Sequence, residues 1–291
     1  MATGFLFPGQ GSQEPGMGRE LYNELQEAKI ILDEASDIMD FDIKKMMFEG
    51  PAETMSDTQY SQPLIYTCSA MYLAKARAQG LTPDYVAGHS LGEDSALAAA
   101  GVFSFADGLK LVRQRGLAMS KQNGKGTMAA VMGLTEEELL PYIEKVSDEV
   151  VIANLNTPMQ LVISGTNEGI SKIEEMLSQR EGAMVKRLSV SAAFHSPQMK
   201  DAAEIMTPLL QQADLKAPEC YVVSNVTGKA TRDIDEIRSN LIDQITGQVR
   251  WYDGIINMTN AGVDEFYEIG NGKILRGMNR RIEGAAKCNS L

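Results

Sequence analysis

A serine set between two glycines is the first feature of this sequence that could carry out covalent chemistry. It is Ser90, the third residue of the stretch Gly-His-Ser-Leu-Gly at 88–92. Residues 84–87 predict a short buried strand, and the Ala-rich stretch 93–100 predicts a helix with acidic residues in its first turn. A serine at such a strand-to-helix turn has the context of a nucleophile elbow. The alternative is a tight turn in which Ser90 only caps the helix.

A nucleophilic serine needs a base within hydrogen-bond reach, and the sequence contains only two histidines. His89 directly precedes Ser90 on the predicted turn, so we interpret it as structural or as a wall of the pocket. His195 lies just before Pro197 at a strand-to-helix boundary, where a loop could bring it over Ser90. A capping or core histidine is the alternative. No carboxylate has a distinctive setting, so a Ser–His pair oriented by a backbone carbonyl is plausible.

Two arginines on the predicted helix 105–121 differ in their surroundings. Arg115 has apolar residues three and four positions away on both sides, whereas Arg113 lies on a more mixed face. An arginine among apolar neighbours either extends its head group to solvent or holds a specific anion. The spacing alone leaves both interpretations of Arg115 open.

Composition and charge argue against several classes of function. The net charge of −12 and the pI near 4.8 argue against nucleic acid as a partner. No stretch approaches the length of a membrane span, and the first residues predict no secretory signal. Three scattered cysteines suit free thiols in the cytoplasm, and no His/Cys cluster has metal-ligand spacing. The glycine-rich stretches 9–13 and 270–273 fit no nucleotide motif, so we expect neither a metal nor a cofactor.

The order of predicted elements indicates an α/β fold that would position these residues. Strand 3–7 leads into a glycine-rich loop that can present backbone N–H groups to a site at the strand ends. Residues 126–190 predict the order βαββαβ, which is the ferredoxin-like arrangement. We therefore predict an α/β-hydrolase-like catalytic domain with a parallel sheet, formed by residues 1–125 and 191–291. A ferredoxin-like subdomain at 126–190 would be inserted into it.

Five short motifs together carry a resemblance that covers essentially the whole chain. They are FPGQGSQ at 7–13, GHSLGE at 88–93, RG at 115–116, AFHS at 193–196 and GNGK at 270–273. In type and order they resemble those of the malonyl-CoA:acyl carrier protein transacylases and the related acyltransferases of polyketide synthesis. The AFHS form resembles that associated with malonyl rather than methylmalonyl choice.

The resemblance implies a role for each matching residue. Ser90 would attack the malonyl thioester, and His195 would serve as base and then as acid. The backbone N–H groups of Gln10 and Leu91 would form an oxyanion hole, and Arg115 would bind the free carboxylate of the malonyl group. The phosphopantetheine thiol of acyl carrier protein would then accept the acyl group in a ping-pong cycle.

The sequence departs from the family pattern at three positions. Arg250 stands where some relatives have glutamine, whose main-chain carbonyl orients the histidine, so we include Arg250 among the site residues. Asp94 replaces a frequent aromatic residue after the elbow, which leaves the packing near the pocket mouth in doubt. Asn271 replaces a frequent proline and affects no inferred chemical role.

Fatty acid biosynthesis is the expected pathway, and a discrete acyltransferase serving a polyketide synthase is the alternative. A serine thioesterase or other hydrolase is a second enzyme class that the elbow alone would suit. Carrier proteins of this kind are usually acidic, as this chain is. We therefore predict a local basic patch, formed by Lys186 and Arg187 or by Arg276, Arg280 and Arg281. Nothing in the sequence suggests an obligate dimer, and a monomer is expected.

Overall fold

The computed structural model describes residues 2–291. Its strands are β1 (Ala2–Phe7), β2 (Tyr85–Gly88), β3 (Thr127–Met132), β4 (Val150–Thr157), β5 (Gln160–Gly165), β6 (Met184–Arg187), β7 (Tyr221–Val223), β8 (Ala230–Thr231), β9 (Val263–Glu268) and β10 (Lys287–Ser290). Its helices are α1 (Arg19–Glu24), α2 (Gln26–Ile38), α3 (Ile43–Glu49), α4 (Ala52–Ser56), α5 (Thr58–Ala78), α6 (Gly92–Ala99), α7 (Phe105–Ser120), α8 (Glu136–Ile143), α9 (Asn167–Leu177), α10 (Lys200–Gln212), α11 (Ile234–Gln244), α12 (Trp251–Asn260) and α13 (Ile274–Asn279).

The larger sheet has six strands in the order β10-β9-β1-β2-β7-β8, and all are parallel except β8. The central strand β1 is almost wholly apolar, and Phe5, Leu6 and Phe7 are buried on both faces of the sheet. In the β1–β2 register, Phe7 is the partner of Gly88. The two strands therefore end side by side, and the loops that follow them meet at the carboxyl edge of the sheet.

The smaller sheet is antiparallel, with the strand order β4-β5-β3-β6. Helices α8 and α9 contribute Leu139, Ile170 and Ile173 to a core that this sheet forms on its own, and Tyr252 of α12 packs against that core. A short parallel bridge joins Asn154 to Val249, so β4 lies beside the chain that follows α11. The molecule is thus an α/β fold with one mixed, largely parallel sheet and one antiparallel sheet.

Two helices differ from the sequence-based expectation. The sequence pattern predicts one helix over 21–40, but Leu25, whose backbone is extended, divides this segment into α1 and α2. The Ser-Gln-Pro stretch at 61–63 predicts a helix that starts at Pro63, but helix α5 begins five residues earlier, at Thr58. Proline has no N–H to donate to the Gln59 carbonyl one turn earlier, and the Arg113 guanidinium donates to that carbonyl instead, at 2.8 Å. Among residues 2–291, no helix is both long and apolar enough to cross a membrane.

Candidate active site

Ser90 lies on a strained turn between β2 and α6. Its φ of 54° is in the left-handed region, which a residue with a side chain rarely adopts. Gly88 and Gly92 make that turn possible. A Cβ on Gly88 would lie 1.8 Å from the Gly92 carbonyl, and one on Gly92 would lie 2.1 Å from the Phe7 oxygen. The elbow therefore packs directly against the end of β1, as the sequence context predicts.

Asn225, in the loop after β7, holds this turn in place. Its Oδ1 accepts a hydrogen bond from the Ser90 N–H at 2.7 Å, and its Nδ2 donates to the Gly88 carbonyl at 2.6 Å. Its own N–H donates to the buried carboxyl of Glu93 at 3.2 Å. One side chain thus binds the backbone on both sides of the elbow, which stabilises the strained serine.

His195 lies directly against the serine hydroxyl. The Ser90 Oγ is 2.7 Å from His195 Nε2, and His195 Nδ1 is 2.9 Å from the carbonyl oxygen of Gln244. A carbonyl can only accept, so we assign the proton to Nδ1, which leaves Nε2 free to accept from the hydroxyl. His195 has a φ of 55°, and within residues 2–291 it and Ser90 are the only non-glycine residues with positive φ. Strain is therefore concentrated at these two residues.

The surroundings of His195 favour its neutral form. The ring is almost fully buried, and burial together with the nearby positive charge of Arg115 lowers the pKa of His195 to about 3. At neutral pH the imidazole is therefore uncharged and can take a proton. Among residues 2–291 no carboxylate accepts from Nδ1, and the Gln244 carbonyl that does accept from it orients the ring.

The guanidinium of Arg115 lies at the floor of the same site and is buried. Its Nη1 donates to Gln62 Oε1 at 2.8 Å, and its Nη2 donates to Gln244 Oε1 at 2.8 Å and to Ser90 Oγ at 3.3 Å. These three acceptors are neutral and occupy three of the five N–H hydrogens of the group. The arginine is thus oriented toward the serine and keeps capacity for an incoming anion.

A cavity of about 450 Å³ opens onto these groups. Gln10 and Leu91 both line it, and the side chain of Gln10 is held by Ser56 and Thr58 on the far side of the loop. Across residues 2–291, neither the Gln10 N–H nor the Leu91 N–H has a hydrogen-bond acceptor. Two free N–H groups beside a serine nucleophile suit an oxyanion hole.

The acyl transferase domain family matches residues 4–249. The chain belongs to this family. A malonyl CoA-acyl carrier protein transacylase of Bacillus subtilis (strain 168) is 41% identical over 288 residues, which cover 97% of this chain and 91% of that protein. The polyketide biosynthesis malonyl CoA-acyl carrier protein transacylase PksC of the same strain is 41% identical over 287 residues, covering 98% of each. A solved malonyl-transacylase in complex with its type II PKS acyl-carrier protein has a TM-score of 0.96 at 31% identity, covering 100% of this chain and 96% of that one.

The structure of this acyltransferase brings together five of the six site residues that the sequence singled out: Ser90, His195, Arg115, Gln10 and Leu91. Arg250 is the exception, and its assignment is corrected. Its side chain pairs with Asp253 at 2.7 Å, and it does not line the cavity. The carbonyl that faces His195 belongs to Gln244, because the last turn of α11, and not the start of α12, reaches the histidine.

Gln244 is the most connected residue that the sequence-based reasoning missed. Besides accepting from His195 and Arg115, its Nε2 donates to the Ser90 carbonyl at 2.9 Å and to Glu93 Oε2 at 2.7 Å. Burial raises the pKa of Glu93 to about 8. A glutamine in the last turn of an amphipathic helix carries no signal for such a role. Asn225, in a loop, and Gln62, near the start of α5, were also missed, because neither differs in type or spacing from an ordinary polar residue.

His89 lines the cavity but does not face the serine hydroxyl. Its Nε2 lies 2.8 Å from Asn156 Oδ1, and its ring packs against Trp251. This placement agrees with the interpretation of His89 as a pocket wall. In the part of the chain that the structure describes, no group of three or more His, Cys, Asp or Glu side chains could hold a metal ion.

Proposed function

We propose that this chain transfers the malonyl group of malonyl-CoA to the phosphopantetheine thiol of an acyl carrier protein, through a malonyl ester on Ser90. One observation carries the proposal: the Ser90 hydroxyl lies 2.7 Å from a neutral imidazole and 3.3 Å from a buried guanidinium. The imidazole activates the nucleophile, and the guanidinium selects an acyl group that bears a carboxylate. The malonyl CoA-acyl carrier protein transacylases among its relatives support the same assignment.

In the first half-reaction, the Ser90 hydroxyl passes its proton to His195 Nε2 as its oxygen attacks the thioester carbonyl. The negative charge that develops on the carbonyl oxygen would be stabilised by the N–H groups of Gln10 and Leu91. The carbon–sulfur bond then breaks, and the imidazolium returns its proton to the sulfur of the departing CoA. The Gln244 carbonyl accepts from Nδ1 throughout and stabilises the imidazolium.

In the second half-reaction, the thiol of the carrier protein enters the same cavity. It gives its proton to His195 and attacks the malonyl ester, and the Ser90 oxygen leaves and recovers its proton from the imidazolium. The solved complex of a malonyl-transacylase with its acyl-carrier protein supports this type of partner. We propose no metal and no cofactor for either half-reaction. Malonyl-CoA is counted as a substrate.

Replacing Arg115 with alanine should lower kcat/KM for malonyl-CoA by about 100-fold, because charge-assisted hydrogen bonds to the carboxylate are lost. Acetyl-CoA lacks that carboxylate, so kcat/KM for acetyl-CoA should fall far less. The matched control is Arg113→Ala, which removes the same side chain two positions away on α7, where it binds Gln59 and Asp40. Steady-state assays with both thioesters measure the effect. An equal fall for the two substrates in Arg115→Ala would contradict the carboxylate-binding role.

Docking of the carrier protein is expected at exposed cations beside the cavity mouth. Lys186 lies two residues from Leu188, and Arg280 and Arg281 lie just beyond Met278; both Leu188 and Met278 line the cavity. Arg187 is a poor contributor because it pairs with Glu174 at 2.8 Å.

Replacing Lys186, Arg280 and Arg281 with glutamate should raise the KM for the carrier protein by about tenfold at low salt, and less at high salt. Lys110→Glu is the control, because Lys110 is exposed on α7 and does not line the cavity. Assays at varied carrier-protein concentration measure the change. An unaltered KM for the carrier protein would exclude this surface.

Fatty acid biosynthesis is the pathway we propose. A polyketide synthase is the second candidate, favoured by the match to PksC, whose identity equals that of the other relative from the same organism. Transfer rates to a fatty-acid and a polyketide carrier protein distinguish the two. A serine hydrolase would instead release CoA from malonyl-CoA rapidly with no carrier protein present.

We further propose that the two sheets define an α/β-hydrolase-like domain of residues 1–125 and 191–291 and a ferredoxin-like subdomain of residues 126–190. The strand order β4-β5-β3-β6 supports the second description, as does the position of the helices: α8 follows β3 and α9 follows β5 along the chain. We also propose that the protein is a monomer and that it lies in the cytoplasm; the free state of its buried cysteines supports the second point.

A further inference from the structure

Asp94 lies behind Arg115, on the side away from the cavity. It follows Glu93 on α6, is only 5% exposed and does not line the cavity. Its Oδ2 lies 3.9 Å from Arg115 Nε and has no hydrogen-bond partner among residues 2–291. A buried carboxylate oxygen without a hydrogen bond is costly, and the guanidinium is the cation that faces it.

We propose that Asp94 is a titratable counter-ion of Arg115 that sets how strongly the site prefers an acyl group carrying a carboxylate. The inference rests on the proposed function and deepens it. In the free enzyme, ionised Asp94 partly neutralises the guanidinium through the ion pair at 3.9 Å. A malonyl carboxylate would bring a second negative charge to the same cation. The two carboxylates would then compete, and ionised Asp94 would weaken malonyl binding.

The other titratable groups facing Asp94 do not replace it in this role. Glu93, on the same helix, makes hydrogen bonds to Asn225 and Gln244, and burial raises its pKa to about 8. Tyr66 approaches from α5, and burial raises the pKa of its hydroxyl well above the ordinary value. Tyr66 is therefore neutral at pH 7 and Glu93 is largely neutral, and of the three groups Asp94 is the one whose charge changes most between pH 7.5 and pH 5.5.

The direction of the pH dependence follows from the Asp94 pKa, which burial raises to about 6 while Arg115 opposes the shift. Above that pH Asp94 is ionised and offsets the charge of Arg115. Below it Asp94 is neutral, and the full charge of Arg115 attracts the malonyl carboxylate, which stays ionised. The preference for malonyl-CoA over acetyl-CoA should therefore rise as the pH falls.

The test compares kcat/KM for malonyl-CoA and acetyl-CoA in the full-length enzyme. Taking the ratio of the two cancels effects on Ser90 and His195, which both substrates share. We expect the wild-type ratio to rise about three- to tenfold from about pH 7.5 to pH 5.5. Asp94→Asn should show the higher ratio at every pH, chiefly through a lower KM for malonyl-CoA. The exposed Asp214→Asn removes the same unit of charge and should behave as wild type.

Each outcome decides the proposal. A ratio that is unchanged or lower in Asp94→Asn overturns it, and a lower ratio would show that Asp94 orients Arg115 instead. If Asp94→Asn does not fold, the wild-type pH profile is the test, and a flat ratio overturns the proposal. If wild type forms no malonyl ester at all, the proposed function fails, and that result is distinguishable from a failure of the Asp94 inference.

Discussion

Replacing Ser90 with alanine is expected to lower malonyl transfer by at least about 10⁴-fold, because both half-reactions pass through an ester on its oxygen. The fold should survive, since the Ser90 backbone makes the hydrogen bonds to Asn225 and Gln244 that hold the elbow. The measurement is transfer to the carrier protein at saturating malonyl-CoA, alongside thermal unfolding of the variant.

Ser95→Ala is the matched control for this substitution. Ser95 is buried on α6, the helix that follows Ser90, and its hydroxyl has no hydrogen-bond partner among residues 2–291. It lines a different cavity, behind the helix, so its removal should leave transfer within about threefold of wild type. Substantial transfer by Ser90→Ala would mean that another group carries the acyl chain.

Replacing His195 with alanine is expected to lower kcat/KM by about 10³-fold, because Ser90 loses its base and the departing sulfur loses its acid. The pH profile is the sharper measurement. The base form of His195 exists above its pKa, which burial and Arg115 lower to about 3. In wild type, kcat/KM for acetyl-CoA should therefore show no loss from protonation of a histidine near pH 6.5, the ordinary value.

The His195→Ala variant and the wild-type pH profile test the role of the histidine independently. His195→Ala should retain the far-UV circular dichroism of wild type, because other hydrogen bonds hold the loop 188–196. The Leu188 N–H donates to the Met128 carbonyl, and the Gly124 N–H donates to the Ser191 carbonyl. The Ser191 hydroxyl donates to Asn123 Oδ1. An acid limb at the ordinary histidine pKa would contradict a buried imidazole beside Arg115. Wild-type rates in His195→Ala would remove the histidine from the mechanism.

The sequence predicted the parts of the site that local patterns encode. Ser90 was recognisable because glycines, a strand and a helix all lie within a few residues of it. Helical spacing set Arg115 apart as an arginine among apolar neighbours, but its role at the site came only from the family resemblance. His195 followed from the scarcity of histidines, although it lies 105 residues from the serine.

The supporting residues could not be predicted in this way, because only the folded chain brings them together. Gln244 donates to the Ser90 carbonyl from 154 residues away, and Asn225 binds the elbow from 135 residues away. Neither residue differs in type or spacing from an ordinary polar residue of a helix end or loop. The mistaken choice of Arg250 has the same origin, since the histidine's carbonyl partner depends on which turn of the chain reaches it.

The sequence pattern predicts no strand at the positions of β8 and β10. The edge strand β10 pairs only with β9, and β8 spans two residues. Short edge strands have little periodicity to reveal them, because one of their sides has no partner. Central strands such as β1 and β2 were recognised from their buried apolar runs.

The most direct test is mass spectrometry of the enzyme after brief incubation with malonyl-CoA in the absence of carrier protein. Peptide mapping should locate one malonyl group on Ser90, and addition of phosphopantetheinylated carrier protein should remove it and produce malonyl-carrier protein. Absence of the adduct on Ser90 in enzyme that transfers malonyl groups, or loss of the adduct to water with no malonyl-carrier protein formed, would contradict the account.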